Sequence, residues 1–201
     1  MTNLFKAKIQ RTALLFFILL SLVKSQNEYP IVLVHGFMGW GPKEMGSYSY
    51  WGGKYDLIKD LEEKGHTIYI SNVGPVSSNW DRAVELYYQI KGGQVDYGKG
   101  HSDVYGIIRR PKNKKYKGLY PKWSKDNPIH LIGHSMGGQT ARMLDYLLTT
   151  SISDTTGRKE SSFFLGEEQN GLIKSITTIS TPHNGTTLST FCLLYTSPSP
   201  R

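Results

Sequence analysis

Apolar and polar positions along the chain fall into two kinds of block. Residues 173–180 (IKSITTIS) predict a strand, and Ile31-Val32-Leu33-Val34 and residues 129–132 (IHLI) are short, largely apolar runs. Such runs suit strands buried on both faces of a parallel sheet. Residues 66–71 (HTIYIS) are β-branched and aromatic and predict a further strand. Between these runs the spacing turns helical. Residues 57–64 predict a short helix closed by Gly65. Residues 80–91 predict a second, with Ala83, Val84, Tyr87 and Ile90 on one side, Ser78 or Asn79 at the N-cap and Gly92-Gly93 as the stop. Residues 139–149 predict a third, with Leu144, Leu147 and Leu148 apolar. Residues 92–128 and 150–170 carry weak periodicity and predict irregular segments. Alternating strands and helices predict an α/β fold: a mostly parallel sheet with helices on both faces.

Two ends depart from this pattern. Lys6, Lys8 and Arg11 precede an apolar run over residues 13–23. Eleven residues are fewer than the about 20 that span a bilayer. Val23 and Ser25 suit a cleavage site, so residues 1–25 predict a secretory signal peptide and a mature chain from Gln26. An uncleaved anchor is the alternative. Residues 191–201 end in TSPSPR, a low-complexity tail that cannot support a core; it resembles adapter-derived read-through, with a true disordered C-terminus as the alternative.

Composition narrows the class. Apolar residues are 38% of the 201, and mean hydropathy is −0.37, which excludes a polytopic membrane protein. One Cys excludes an internal disulfide scaffold and Cys-rich zinc motifs. The net charge of +8 is local. It comes from the N-terminal stretch and from residues 109–125, where Arg109, Arg110, Lys112, Lys114, Lys115, Lys117, Lys122 and Lys125 occur with no acid. The rest of the chain is mildly acidic. With Pro111, Gly118 and Pro121 inside it, the basic run reads as a solvated loop rather than a nucleic-acid surface.

Gly133-His134-Ser135-Met136-Gly137 matches G-x-S-x-G. The pattern alone is weak. Its position, after a buried strand and before a helix, is what a nucleophilic serine on a tight turn requires. His35-Gly36-Phe37 follows the first strand. In a serine acyl hydrolase one oxyanion donor is the amide after the nucleophile, here Met136; the other comes from a loop after an earlier strand, here Phe37. A serine also needs a base, oriented by an acid. Downstream of Ser135 the only histidine is His183, directly after the next strand and too early for that role in α/β-hydrolase order. The acids Asp145, Asp154, Glu160, Glu167 and Glu168 follow no further strand. Base and acid are therefore expected beyond residue 201, with residues 26–190 the N-terminal part of the domain, truncated at its C-terminal end.

YPIVLVHGFMGWG (29–41), YWGG (50–53), VGPVSSNWDRAVELYYQIKGGQVDYGKGH (73–101), HLIGHSMGGQTARML (130–144) and ISTPHNGTTL (179–188) together resemble secreted bacterial triacylglycerol lipases, and more closely the staphylococcal and thermoalkalophilic Bacillus-type group. The resemblance covers residues 28–190. It implies an α/β-hydrolase cleaving acylglycerol esters through Ser135, with the Phe37 and Met136 amides as oxyanion hole and a lipid–water interface as working surface. It implies no cofactor for the chemistry. It implies a structural zinc site of two Asp and two His, in which Asp81 matches the first position, His101 the second, and Ile107 stands at the third. The fourth ligand, the calcium ligands and the lid would lie beyond residue 201.

Several readings stay open. Asp81 and His101, taken alone, read as a first-turn acid and a loop histidine. Asn184-Gly185-Thr186 is a glycosylation sequon in a strand-end motif that could exclude the modification. Trp40, Tyr48, Tyr50 and Trp51 could line an acyl pocket or pack over a loop. Another acyl esterase, phospholipase or thioesterase shares the same motifs. A non-catalytic lipid- or partner-binding protein is the reading if the chain ends at Arg201.

Overall fold

Alternation within the first strand divides the core. In the computed structural model, which describes residues 28–187 apart from 161, 163 and 166, β1 (Ile31–Val34) turns Val32 and Val34 to one face and Leu33 to the other. The predicted signal peptide (1–25) and the tail (191–201) lie outside the described residues.

Around β1 stand β2 (Ile68–Ile70), β5 (Ile129–His134) and β6 (Ile173–Ile179), in the order β2-β1-β5-β6. Every pairing is parallel, with Val32 opposite both Tyr69 and Leu131, and Leu131 opposite Ile176. The Val32 face is covered by α2 (Asn79–Lys91) and α4 (Met136–Thr149), which bring Ala83, Val84, Tyr87, Leu144 and Leu148 onto it. The Leu33 face is covered by α1 (Leu57–Glu63), through Leu57, Ile58 and Leu61, and by Trp51. Helices on both faces of a parallel sheet are the predicted α/β arrangement.

Boundaries follow local chemistry. Asp56 caps α1 and Ser78 caps α2, each side chain accepting an N–H of the first turn (Lys59 and Asp81). α4 begins at Met136, three residues before the predicted start, because Ser135 is itself the N-cap and Gly137-Gly138 are already helical.

Residues 92–128 are not wholly irregular, which corrects the sequence expectation. They hold α3 (Lys99–Tyr105) and an antiparallel pair of two-residue strands, β3 (Gly93–Gln94) and β4 (Lys115–Tyr116). α3 has no side-chain cap. Instead Glu160, far away in sequence, accepts from the Gly100 N–H at 2.8 Å. The segment returns to the core through Trp123, fully buried, whose indole N–H donates to the Leu172 carbonyl. The N–H groups of Leu119 and Tyr120 satisfy the Gln89 and Ile90 carbonyls of the last turn of α2.

The basic run is partly neutralised within the fold. Asp96, buried, accepts from Arg109 Nε at 2.6 Å and Arg110 Nε at 2.8 Å. Burial would raise the Asp96 carboxyl; the two guanidinium groups outweigh it and hold it below its ordinary value. Lys114 pairs with Glu85, so three of the run's eight cations face buried acids.

Candidate active site

β5 and α4 meet at one residue. Ser135 follows the last strand residue and precedes the first helical one, with φ 54° and ψ −127°. A non-glycine residue with positive φ at this ψ carries strain on the order of 1–3 kcal/mol, which persists only where the surroundings fix it. Here they do. The Ser135 N–H donates to the Ile179 carbonyl at 2.8 Å, and the Ser135 carbonyl accepts from Thr181 Oγ1 at 2.8 Å and from the Gly138 N–H at 3.1 Å. The turn also requires its glycines. A Cβ at Gly137 would lie 2.1 Å from the Val34 carbonyl oxygen, and one at Gly133 would lie 2.4 Å from the Gly137 carbonyl carbon. Both obstacles are backbone, which cannot swing aside.

The loop after β1 arrives beside this turn. A Cβ at Gly36 would sit 2.8 Å from the Ser135 Cβ. The structure thus brings together the three predicted residues: Ser135 on the turn, Met136 as the first residue of α4, and Phe37 next to Gly36. Among the described residues no group accepts from the Phe37 or Met136 N–H. The free amides beside the half-buried Ser135 are an arrangement that can meet a developing oxyanion.

This loop is pinned from below. Arg82, fully buried on α2, donates to the His35 carbonyl, to the Gly74 carbonyl at 2.7 Å and to Thr140 Oγ1 at 2.9 Å. Burial pushes its guanidinium down to about 10, so it is charged at neutral pH. One turn on, Glu85 accepts from the Gly74 N–H at 2.8 Å and from the Tyr97 hydroxyl at 2.7 Å. Gln89 holds both the N–H and the carbonyl of Asn72. Arg82, Glu85 and Gln89 form a row on one side of α2, tying the ends of β1 and β2 to the helix. Sequence reasoning missed this row, because nothing local to three polar helix residues announces partners at the ends of two strands.

His35 is buried, and burial holds its ring below the ordinary value against the opposing hydrogen bond to Gly36. A carbonyl only accepts, so the contact from Nδ1 to the Gly36 oxygen at 2.9 Å places the proton on Nδ1. Nε2 has no partner among the described residues.

No histidine is hydrogen-bonded to Ser135 among the described residues. His183 is engaged at both nitrogens, by Arg142 at 3.0 Å and Thr178 at 3.1 Å. Asn184 is exposed. The aromatic cluster packs edge to face, Tyr50 against Trp40 at 5.2 Å and against Trp51 at 5.5 Å, and Trp40, Tyr50 and Trp51 also line a cavity of about 170 Å³.

Asp81 and His101 meet elsewhere, with Oδ1 and Nε2 3.0 Å apart, and His101 stacks on Trp80 at 4.8 Å. The pair adjoins a cavity of about 540 Å³ lined by Trp80, His101, Tyr105 and Tyr146, none of them from the Ser135 turn. A structural zinc needs four ligands. Ile107, at the third position, is apolar and packs against the core, and no group of three or more His, Cys, Asp or Glu side chains gathers among the described residues. The residues present do not complete a zinc site, and Asp81 and His101 bind each other directly.

A family model described as "Lipase-like, C-terminal domain" matches residues 27–192. The chain belongs to this lipase-like family. Its relatives include Lipase 2 of Staphylococcus aureus (strain MRSA252), 44% identical over 172 residues, covering 81% of this chain and 24% of that protein. Lipase 1 of S. aureus (strain Mu50) is 46% identical, covering 80% and 25%. Among solved structures, EstA from Clostridium botulinum superposes with TM-score 0.76 at 51% identity, over 82% of this chain and 38% of that one. The Staphylococcus hyicus lipase gives TM-score 0.76 at 41% identity, over 83% and 44%. This lipase-family chain thus spans about a quarter of the length of the curated relatives it matches. No helix among its described residues is long and apolar enough to cross a membrane.

Proposed function

We propose that the full-length protein is a carboxylic ester hydrolase of the lipase type, acting on acylglycerols through an acyl-enzyme on Ser135. The observation that carries this is the Ser135 turn, with its positive φ, its backbone-tight glycines and the Gly36 loop pressed against it. The lipase names of its relatives support acyl esters as the substrate class.

In this reading Ser135 Oγ attacks the ester carbonyl and its proton passes to a base, which lies outside the described residues, as does the acid that orients it. The carbonyl oxygen becomes an oxyanion and takes hydrogen bonds from the Phe37 and Met136 amides, each such donor contributing about 2.7–4 kcal/mol to barrier lowering. Collapse expels the alcohol and leaves the acyl group on Ser135; water then releases the acid. The strained turn holds Oγ clear of the backbone, so no rearrangement is needed at the moment of attack.

The test is hydrolysis of p-nitrophenyl butyrate by the full-length protein, with Ser135→Ala beside it. Activity that vanishes in the alanine variant supports the reading; activity that persists overturns it. Rates on emulsified triacylglycerols against soluble short-chain esters separate a lipase from another acyl esterase. Export rests on residues 1–25. N-terminal sequencing of protein from the medium should begin at Gln26, and a chain retaining Met1 on the cell surface would count against cleavage.

A further inference from the structure

One hydroxyl bridges the two segments that carry the oxyanion amides. Tyr50 Oη lies 2.9 Å from the Gly36 nitrogen and 2.5 Å from His134 Nδ1. Gly36 precedes Phe37, one step from its amide. His134 precedes Ser135, two residues before the Met136 amide. We propose that Tyr50 is a positioning residue for the oxyanion hole, its hydroxyl locking the Gly36 loop to the Ser135 turn. This rests on the reading of Ser135 as nucleophile.

The proton inventory gives the lock a direction. The Gly36 N–H can only donate, so Tyr50 Oη accepts from it. The hydroxyl's own proton is then free to go to His134, whose Nδ1 accepts. That arrangement leaves the His134 proton on Nε2 and fixes its tautomer. The chain runs from the loop amide through the hydroxyl to the imidazole, every donor matched to an acceptor.

The ring is held as firmly as the hydroxyl. Tyr50 packs edge to face against Trp40, Trp51 and His134. Its own loop is closed by reciprocal backbone bonds between Ser49 and Gly53, at 2.9 and 3.1 Å. The hydroxyl is therefore delivered from a rigid side, and it meets two segments that arrive from different strands, β1 and β5. Arg82 fixes the His35 carbonyl on the buried side of this loop. Tyr50 fixes the next amide on the side facing the Ser135 turn. Between them little freedom is left to the Phe37 N–H.

Removing the hydroxyl while keeping the ring isolates this role. In the full-length protein, Tyr50→Phe should lower kcat for p-nitrophenyl butyrate by roughly 10–100-fold, since a displacement near 1 Å at the reacting centre costs up to that much. KM should stay within about twofold, because the ester is not yet an oxyanion when it binds. The inhibition constant of an alkylboronic acid, whose tetrahedral adduct on serine borrows the same amides, should rise by the same factor as kcat falls. His134→Ala removes the other end of the bridge, and in its background Tyr50→Phe should cost less than it does alone. A cycle of this kind still reads the coupling if one variant is less stable. Unchanged kcat and boronate affinity in Tyr50→Phe would overturn the proposal. So would a rise in KM alone, strictly additive losses, or a lowered melting temperature with intact kcat. A wild-type protein that neither turns over the ester nor reacts with a fluorophosphonate defeats the serine-hydrolase reading itself. An active, Ser135-dependent wild type with a silent Tyr50→Phe defeats only the role of Tyr50.

Discussion

Gly36 and Ser135 stand so close that a methyl group on the first would lie 2.8 Å from the Cβ of the second, nearer than real Cβ contacts come. The same methyl would meet the His134 carbonyl oxygen at 3.0 Å and the Tyr50 hydroxyl at 3.1 Å. Gly36→Ala must therefore push the loop away from the turn. A loss of kcat of at least about 10-fold is expected, with a smaller change in KM, since the displaced segment carries an oxyanion donor rather than a substrate pocket. Steady-state rates on a soluble ester check this; an alanine variant with full kcat would mean the Phe37 amide takes no part.

Arg82 donates to three acceptors: the His35 carbonyl and the Thr140 hydroxyl, both on buried residues, and the half-buried Gly74 carbonyl. Arg82→Met keeps much of the side-chain volume and takes this donor from all three, while the Thr140 hydroxyl keeps its own bond to the Met136 carbonyl. At about 1–3 kcal/mol for a buried polar group left unsatisfied, with the His35 carbonyl the group most exposed to that cost, the expected destabilisation is about 1–3 kcal/mol. Arg82→Lys keeps the charge but lacks the planar fork, and should fall between the two. Urea midpoints of the full-length protein provide the measurement. A midpoint in Arg82→Met equal to wild type would show that water reaches these carbonyls.

His35 gives stability a pH dependence of predictable sign. Its folded value lies below the ordinary 6.5 because of burial. Above about 6.5 the ring is neutral in both states and the native contacts are intact. As pH falls below that, the unfolded chain takes up a proton that the folded one resists, so stability is lost progressively down to the lowered folded value. Unfolding midpoints at pH 7.5, 6.5 and 5.5 should decline, and His35→Gln should flatten the decline. An equal slope in wild type and variant would place the titration elsewhere.

How much could be read from the chain depends on where each residue's partners lie in sequence. β1 and β5 were legible because short apolar runs have few other uses, and the strand–Ser–helix turn because its glycines sit two residues either side of Ser135. α3 was not: its stabilising contact comes from Glu160, some sixty residues downstream, and no local signal announces it. The start of α4 was misplaced because glycines read as turn, whereas here Gly137 fits under the Val34 carbonyl and Gly138 against the Thr181 side chain. The pairing of Asp81 with His101 was legible only through family resemblance, and Ile107 at the next position shows the limit of carrying a ligand set over by motif alone. For the aromatic cluster the structure shows the rings packing on one another beside a small cavity. The role of the Tyr50 hydroxyl was not legible at all, since it depends on an imidazole 84 residues away.

The row Arg82, Glu85, Gln89 makes α2 a phase-sensitive part. Each added or deleted residue rotates everything beyond it by about 100°. A single insertion after Ser78 would turn the row from the strand ends toward other surroundings, while leaving composition and helix propensity unchanged. Length variation within α2 should thus be far less tolerated than in the exposed turn around Gly157, where added atoms meet nothing within 4 Å. In a lineage of such chains, drift in length would be confined to the turns, and this helix would keep time for the whole sheet.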